Sequence, residues 1–96
     1  MTTIRLHSRR YEAMVDNAKV PLSPGEWNVL SALVRNNGGP VSDQQLLIAM
    51  SKSATVESLQ NYIHFLRYKL GDNAIERVRG YGYRLGLNGF EFEYYE

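Results

Sequence analysis

The fold is decided by two neighbouring stretches, Ile63-His64-Phe65-Leu66-Arg67-Tyr68-Lys69-Leu70 and Ile75-Glu76-Arg77-Val78-Arg79-Gly80-Tyr81-Gly82-Tyr83-Arg84-Leu85. The first has the spacing of an amphipathic helix, and the second alternates like two short strands that turn at Gly80. A helix that ends one turn before a cationic hairpin can lie on nucleic acid, with the helix in a major groove and the hairpin near phosphate or a minor groove.

The helix in question has a clear apolar stripe. Leu59, Ile63, Leu66 and Leu70 recur at intervals of four, three and four residues, so they share one face. The spacing predicts a helix over about residues 55–70, with these four side chains in the core. The segment Gly71-Asp72-Asn73 then ends it.

Two capping boxes precede this helix. Ser23 with Glu26, and Ser42 with Gln45, each have the Ser-x-x-Glu/Gln spacing, and Pro24 stands at a favoured first position. They predict two further helices. The apolar residues assigned to the core are Trp27, Leu30, Leu33 and Val34 in the first helix and Leu46, Leu47 and Met50 in the second.

The amino-terminal segment predicts strands rather than helix. Ile4–His7 and Tyr11–Val15 have strand character, and Asp16-Asn17-Ala18-Lys19 has the composition of a turn before Val20. The predicted order is therefore strands, three helices and a hairpin.

Composition restricts the class of protein. Ninety-six residues, 44% hydrophobic and 11% aromatic, indicate one packed domain, and the absence of cysteine excludes disulfides and thiolate metal sites. No signal peptide or membrane-spanning run occurs, which leads us to expect a cytoplasmic protein with no membrane partner. The only histidines are His7 and His64, and no catalytic motif occurs, so we expect no enzyme activity, cofactor or metal site.

Charge is unevenly distributed. The formal net charge is +1, but without Glu91, Glu93 and Glu96 the chain has eleven basic and seven acidic residues, a net of +4. A modestly basic body predicts weak non-specific affinity for DNA.

Four motifs together resemble a known family: Leu22-Ser23-x-x-Glu26, Val41-Ser42-x-x-x-Leu46, Ile63-x-x-Leu66-Arg67-x-Lys69-Leu70 and Val78-Arg79-Gly80-x-Gly82-Tyr83-Arg84-Leu85. They are similar to the winged-helix effector domain of OmpR/PhoB-type response regulators. The resemblance covers about residues 4–85.

The resemblance implies an α+β fold, a winged helix-turn-helix with an amino-terminal antiparallel sheet, three helices and a carboxyl-terminal β-hairpin wing. Family members bind double-stranded DNA as tandem or paired copies and regulate transcription. The chain contains no receiver domain, and its link between the second and third helices is short. That link commonly meets RNA polymerase in the family, so its shortness counts against activation by that route.

The predicted DNA-binding residues lie on the third helix and the wing. Asn61 suits adenine, His64 suits phosphate or a base, and Arg67 matches an arginine of the family. Arg77 and Arg79, two residues apart, share a strand face that suits phosphate. The full predicted set is Asn61, His64, Arg67, Tyr68, Lys69, Arg77, Arg79 and Gly80.

Two positions on the third helix depart from the family. Glu57 stands where members typically carry arginine, and Phe65 where many carry a basic residue. Glu57 would repel phosphate, accept from cytosine, or simply favour a helix start. Phe65 suits a thymine methyl or, beside Tyr68, a protein-binding patch.

The last residues form an acidic aromatic tail, taken as residues 87–96 after a winged-helix domain of residues 1–86. Phe90, Phe92 and Tyr94 alternate with Glu91 and Glu93, a strand pattern. Such a strand would join the amino-terminal sheet, the wing or a partner's sheet edge, or the tail would shield the basic wing.

The leading hypothesis is a stand-alone winged-helix DNA-binding protein that regulates transcription. The alternative is a winged-helix protein-interaction module that has lost DNA binding and docks on a regulator or on RNA polymerase. The residues assigned to that alternative are Glu57, Phe65, Tyr68, Phe90, Phe92 and Tyr94. The sequence leaves a homodimer open under either hypothesis.

Overall fold

The computed structural model describes all 96 residues. Seven strands and three α-helices follow one another along the chain, with a short 3₁₀ turn at Ser8–Arg10 after the first strand. The elements are β1 (Thr2–His7), β2 (Glu12–Val15), β3 (Ala18–Val20), α1 (Pro24–Arg35), β4 (Val41–Ser42), α2 (Asp43–Met50), α3 (Val56–Leu70), β5 (Ile75–Val78), β6 (Gly82–Leu85) and β7 (Phe90–Tyr95).

The strands form two sheets. The amino-terminal sheet has the order β3-β2-β1-β7, and the second sheet has the order β4-β6-β5. All pairings are antiparallel except that of β1 with β7, which is parallel. The predicted winged-helix fold is confirmed, and the amino-terminal sheet contains an additional parallel strand.

All three helices begin at a capping box. Ser23 and Ser42 each accept a hydrogen bond from the backbone N–H three residues on, while Glu26 and Gln45 accept from the backbone of the cap. Thr55 caps α3 in the same way with Ser58, at 3.1 Å between Ser58 N and Thr55 Oγ1. These local bonds satisfy helix N–H groups that would otherwise lack a partner, and so fix where each helix starts.

The core contains 18 buried apolar side chains contributed by the helices and both sheets. The α3 stripe of Leu59, Ile63, Leu66 and Leu70 is at most 5% exposed, as its spacing predicts. Ile4 and Leu6 of β1 are fully buried on the helix side. In α2 only Leu46 is buried, whereas Leu47 and Met50 pack at the margin of the core.

The tail strand β7 belongs to the same packed unit. Thr2 pairs with Phe90 and His7 with Tyr95, so β7 runs beside the whole of β1. Phe90, Phe92 and Tyr94 pack against the core, and side chains alternate along a strand, so Glu91 and Glu93 face outward. The sequence left open which sheet the tail strand would join. In the structure, it pairs with β1 of the amino-terminal sheet.

Polar contacts hold the outer face of this sheet. Arg5 Nε donates to Glu93 Oε1 at 2.9 Å, and the Tyr95 hydroxyl donates to the same oxygen at 2.7 Å. Hydrogen bonds from Tyr95 and then from Arg5 lower the pKa of Glu93. The acidic tail therefore pairs with Arg5 of β1, and Arg77 of the wing pairs elsewhere, with Asp43.

Two details of the amino-terminal prediction were wrong. Ala18 and Lys19 lie in β3 rather than in a turn, because Ala18 pairs with Val15 and Lys19 with Met14. Tyr11 precedes β2 with a left-handed φ of 50° at the end of the 3₁₀ turn.

None of the three helices combines the length and the hydrophobicity needed to cross a membrane.

Candidate nucleic-acid interface

The outward face of α3 is a continuous stripe opposite the buried one. At 3.6 residues per turn, positions four apart stack on one face, and Glu57, Asn61 and Phe65 follow that spacing. His64 and Tyr68 form a second such row beside them. The exposed residues of the helix are Val56, Glu57, Gln60, Asn61, His64, Phe65 and Tyr68.

This stripe contains no lysine or arginine. Its only charged side chain is Glu57, and its large exposed side chains are Tyr68, at 86% exposure, and Phe65, at 49%. The rings of His64 and Phe65 lie 5.8 Å apart and tilted by 60°. The helix therefore presents amide, imidazole and aromatic groups to solvent rather than cations.

Arg67 and Lys69, the two cations predicted to reach phosphates, are engaged within the chain. Arg67 Nε donates to the backbone carbonyl of Ile75 at 3.0 Å, which joins α3 to the first strand of the hairpin. Lys69 Nζ lies 2.7 Å from Glu26 Oε1 and 2.9 Å from the Pro21 carbonyl. Both side chains have a structural role, which the sequence did not reveal.

The wing turns where the sequence predicts. Gly80 has a φ of +72° and no other atom within 4 Å of a built Cβ, so the left-handed backbone rather than crowding favours glycine there. Gly82 has the opposite constraint, because a Cβ would overlap the carbonyl oxygen of Val41 in β4. The first glycine shapes the tip, and the second lets β4 join the wing sheet.

The base of the wing is fixed to α2. Arg77 Nη1 lies 2.8 Å from Asp43 Oδ1, and the guanidinium lies over the Tyr83 ring at 4.9 Å. The hydrogen bond to Asp43 raises the pKa of Arg77. The Asp43 N–H also donates to the Tyr81 carbonyl at 2.9 Å. Two contacts thus join α2 to the wing, and the contact between Arg77 and the Tyr83 ring lies within the hairpin itself.

Among the lysines and arginines of the predicted set, Arg79 is the one whose side chain has neither an ion pair nor a hydrogen bond within the protein. It is exposed in the turn after β5, so it does not share a strand face with Arg77 as the sequence suggested. The five ion pairs of the protein involve Arg5, Lys19, Lys69, Arg77 and Arg84.

The sequence reasoning overlooked Lys52 and Gln60. Lys52 is exposed in the link between α2 and α3 and has no acidic partner, and Gln60 stands on the exposed stripe beside Asn61. The helical spacing could have indicated that Gln60 is exposed, because it lies four residues before His64. For Lys52, the sequence showed only a single cation between two predicted helices.

The residues assigned to protein docking divide into two groups. Glu57, Phe65 and Tyr68 are exposed together on α3. Phe90, Phe92 and Tyr94 instead pack against the core, with Arg35 of α1 over the Tyr94 ring at 5.8 Å. The tail aromatics consequently do not form a free docking patch.

No group of His, Asp and Glu side chains is arranged to hold a metal ion.

Helices α2 and α3, followed by a hairpin against α2, define the protein as a winged helix-turn-helix domain. A family model described as "Transcriptional regulatory protein, C terminal" matches residues 17–85. The chain belongs to this family, whose effector domains are of the OmpR/PhoB type.

Curated relatives agree with this assignment. The response regulator protein PmrA of Pseudomonas aeruginosa is 32% identical over 83 residues, covering 83% of this chain and 38% of that protein. The transcriptional regulatory protein PmrA of Pectobacterium parmentieri is 34% identical over 85 residues, covering 85% of this chain and 38% of that protein. The chain thus spans under two fifths of the length of these relatives.

Solved structures show the same fold. The DNA-binding domain of the response regulator AdeR, determined with an intercistronic region, matches with a TM-score of 0.78 and 20% identity, covering 85% of this chain and 92% of that one. The Klebsiella pneumoniae RstA DNA-binding domain, determined in complex with the RstA box, matches with a TM-score of 0.68 and 26% identity, covering 81% and 85%.

Proposed function

We propose that this protein binds double-stranded DNA and regulates transcription, with α3 in the major groove and the wing tip at the backbone. The observation that carries the proposal is the exposed stripe of α3, held beside a wing that is fixed to α2 by Arg77 and Asp43. An α-helix fits the major groove of B-DNA, and the second helix of a helix-turn-helix is the one that enters it. Membership of the family and the RstA complex support the same use of the fold.

The cations divide by availability. Arg79 at the wing tip is free to contact phosphate or the minor groove, and Lys52 is free to contact phosphate near the start of α3. Arg77 already pairs with Asp43 through Nη1, so its charge is partly neutralised within the protein. Few free cations predict a shallow dependence of affinity on salt, because each neutralised phosphate contributes about 0.9 to the slope.

The decisive experiment is a salt titration of binding to random-sequence duplex DNA, comparing the unaltered chain with Arg79→Ala. We expect measurable affinity that falls with salt, and a slope smaller by about one in the variant. Lys19→Ala is a control that changes the net charge equally, because Lys19 lies in β3 at an edge of the amino-terminal sheet, outside α3 and the wing. A slope near zero for the unaltered chain would overturn the proposal.

The alternative function is a protein-docking module, and one observation favours it: the uncharged aromatic pair of Phe65 and Tyr68 on α3. It predicts no salt-dependent DNA binding and loss of a protein partner in Phe65→Ala. Under either function, binding to RNA polymerase, to another regulator or to a second copy of the chain remains a prediction. A cytoplasmic location also remains a prediction. We propose no catalytic activity.

A further inference from the structure

The exposed stripe of α3 has an unusual composition for a surface that meets DNA. It contains two carboxamides, one imidazole, two aromatic rings and one carboxylate, but no guanidinium or ammonium group. Guanine presents two acceptors in the major groove, N7 and O6, and arginine or lysine is the side chain that most often reads it. Guanine therefore has no lysine or arginine partner on this exposed stripe.

Asn61 lies near the middle of the exposed stripe, roughly opposite the buried Leu59 and Leu66. Its carboxamide offers an acceptor and a donor side by side. Adenine presents the complementary pair in the major groove, the N6 amino group and the N7 acceptor. Adenine is the base that this side chain can hold with two hydrogen bonds.

Phe65 follows Asn61 by four residues and so lies one turn further along the same face. Nearly half of its surface is exposed, and its ring contacts only the neighbouring His64 ring among the aromatic side chains. The thymine C5-methyl is the apolar group that the major groove presents. A ring in this position can pack against the C5-methyl of a thymine that lies close to the adenine read by Asn61.

We propose that α3 reads an A·T-rich half-site, in which Asn61 holds an adenine and Phe65 packs on the C5-methyl of a nearby thymine. The proposal rests on DNA binding as the proposed function. It also predicts where a G·C pair is tolerated. Glu57, at the first turn of α3, is the acceptor that can take a hydrogen bond from the cytosine N4 amino group.

The test begins with selection of preferred duplexes from a randomised pool by the full chain. Each thymine of the selected site is then replaced singly by uracil, which removes only the C5-methyl. We expect an A·T-rich site and a several-fold weaker affinity at one uracil. We also expect Phe65→Ala to bind the thymine and uracil versions equally. Asn61→Ala should lose roughly 5- to 100-fold and its adenine preference.

Controls separate this inference from loss of folding. Thermal unfolding checks each variant, and Phe65→Leu, which keeps an apolar group, should retain part of the discrimination between thymine and uracil. Glu91→Ala, on β7 of the amino-terminal sheet, should change neither affinity nor base preference.

Four outcomes would overturn the proposal. A G·C-rich selected site, or an unchanged uracil penalty in Phe65→Ala, would contradict the assigned contacts while DNA binding stands. Salt-dependent binding without any base preference would do the same. Failure to bind any duplex would overturn the proposed function together with the half-site.

Discussion

Lys69 at the end of α3 lies 2.7 Å from the carboxylate of Glu26 at the start of α1. Glu26 is only 3% exposed, and one of its two carboxylate oxygens, Oε2, has no hydrogen-bond partner in the protein. Lys69 also donates to the Pro21 carbonyl just before α1. The ammonium therefore connects the helix of the candidate interface to the first helix of the domain.

Replacing Lys69 by methionine should destabilise the protein by about 2–4 kcal/mol, because it leaves the Glu26 carboxylate buried without its counter-ion. Urea unfolding measures the change. Lys52→Met is the matched control, since Lys52 is exposed and unpaired, and should stay within about 0.5 kcal/mol. Equal stability of the two variants would contradict a structural role for Lys69. A loss of DNA affinity in a folded Lys69→Met would show that its ammonium also reaches phosphate.

Stability should fall in acid through Glu26. Burial raises the pKa of this carboxyl group, but hydrogen bonds from Lys69 and Ser23 and the charge of Lys69 outweigh it, so the pKa lies below the ordinary 4.5. The unfolded chain then binds a proton first as pH falls. The stabilisation is complete above the unfolded pKa and is lost as pH falls through the folded pKa. Unfolding free energies between about pH 5 and pH 2 should fall less steeply for Glu26→Gln.

Loss of the tail strand should lower the melting temperature. Removing residues 90–96 exposes β1 as a sheet edge and removes Phe90, Phe92 and Tyr94 from the core margin. Phe90→Ala alone should cost about 1–2 kcal/mol, in proportion to a half-buried ring. Glu91→Ala, exposed on the same strand, is the control. A truncated chain that melts at the same temperature would show that β7 contributes nothing to stability.

Asp43→Asn should tighten non-specific DNA binding, because it removes the carboxylate that pairs with Arg77 at 2.8 Å. The salt slope should rise by up to about one. The variant also loses a favourable charge at the start of α2, worth about 0.3–1 kcal/mol of stability. Glu76→Gln is the matched control, since it frees Arg84 and changes net charge equally. The same gain in both variants would mean that net charge, rather than Arg77, causes the tightening.

Much of the fold follows from local rules. The caps at Ser23 and Ser42 satisfy helix N–H groups within three residues, and the leucine–isoleucine stripe follows from the helical period alone. The turn at Gly80 follows from the backbone freedom of glycine. These features were predictable because every partner lies within a few residues along the chain.

Tertiary structure alone decided which cations are free and where the tail lies. Lys69 and Glu26 are 43 residues apart, Arg77 and Asp43 are 34 apart, and Arg5 and Glu93 are 88 apart. Sequence spacing cannot reveal such pairs, since an exposed and a paired cation look alike in a helical or strand pattern. The tail likewise had the pattern of a strand, but the sequence pattern does not show which strand it pairs with. In the folded protein, that strand is β1. The sequence therefore determined the elements of this protein and the face of α3 that meets solvent. The packing of those elements determined which cations of α3 and the wing are paired within the protein and which are free.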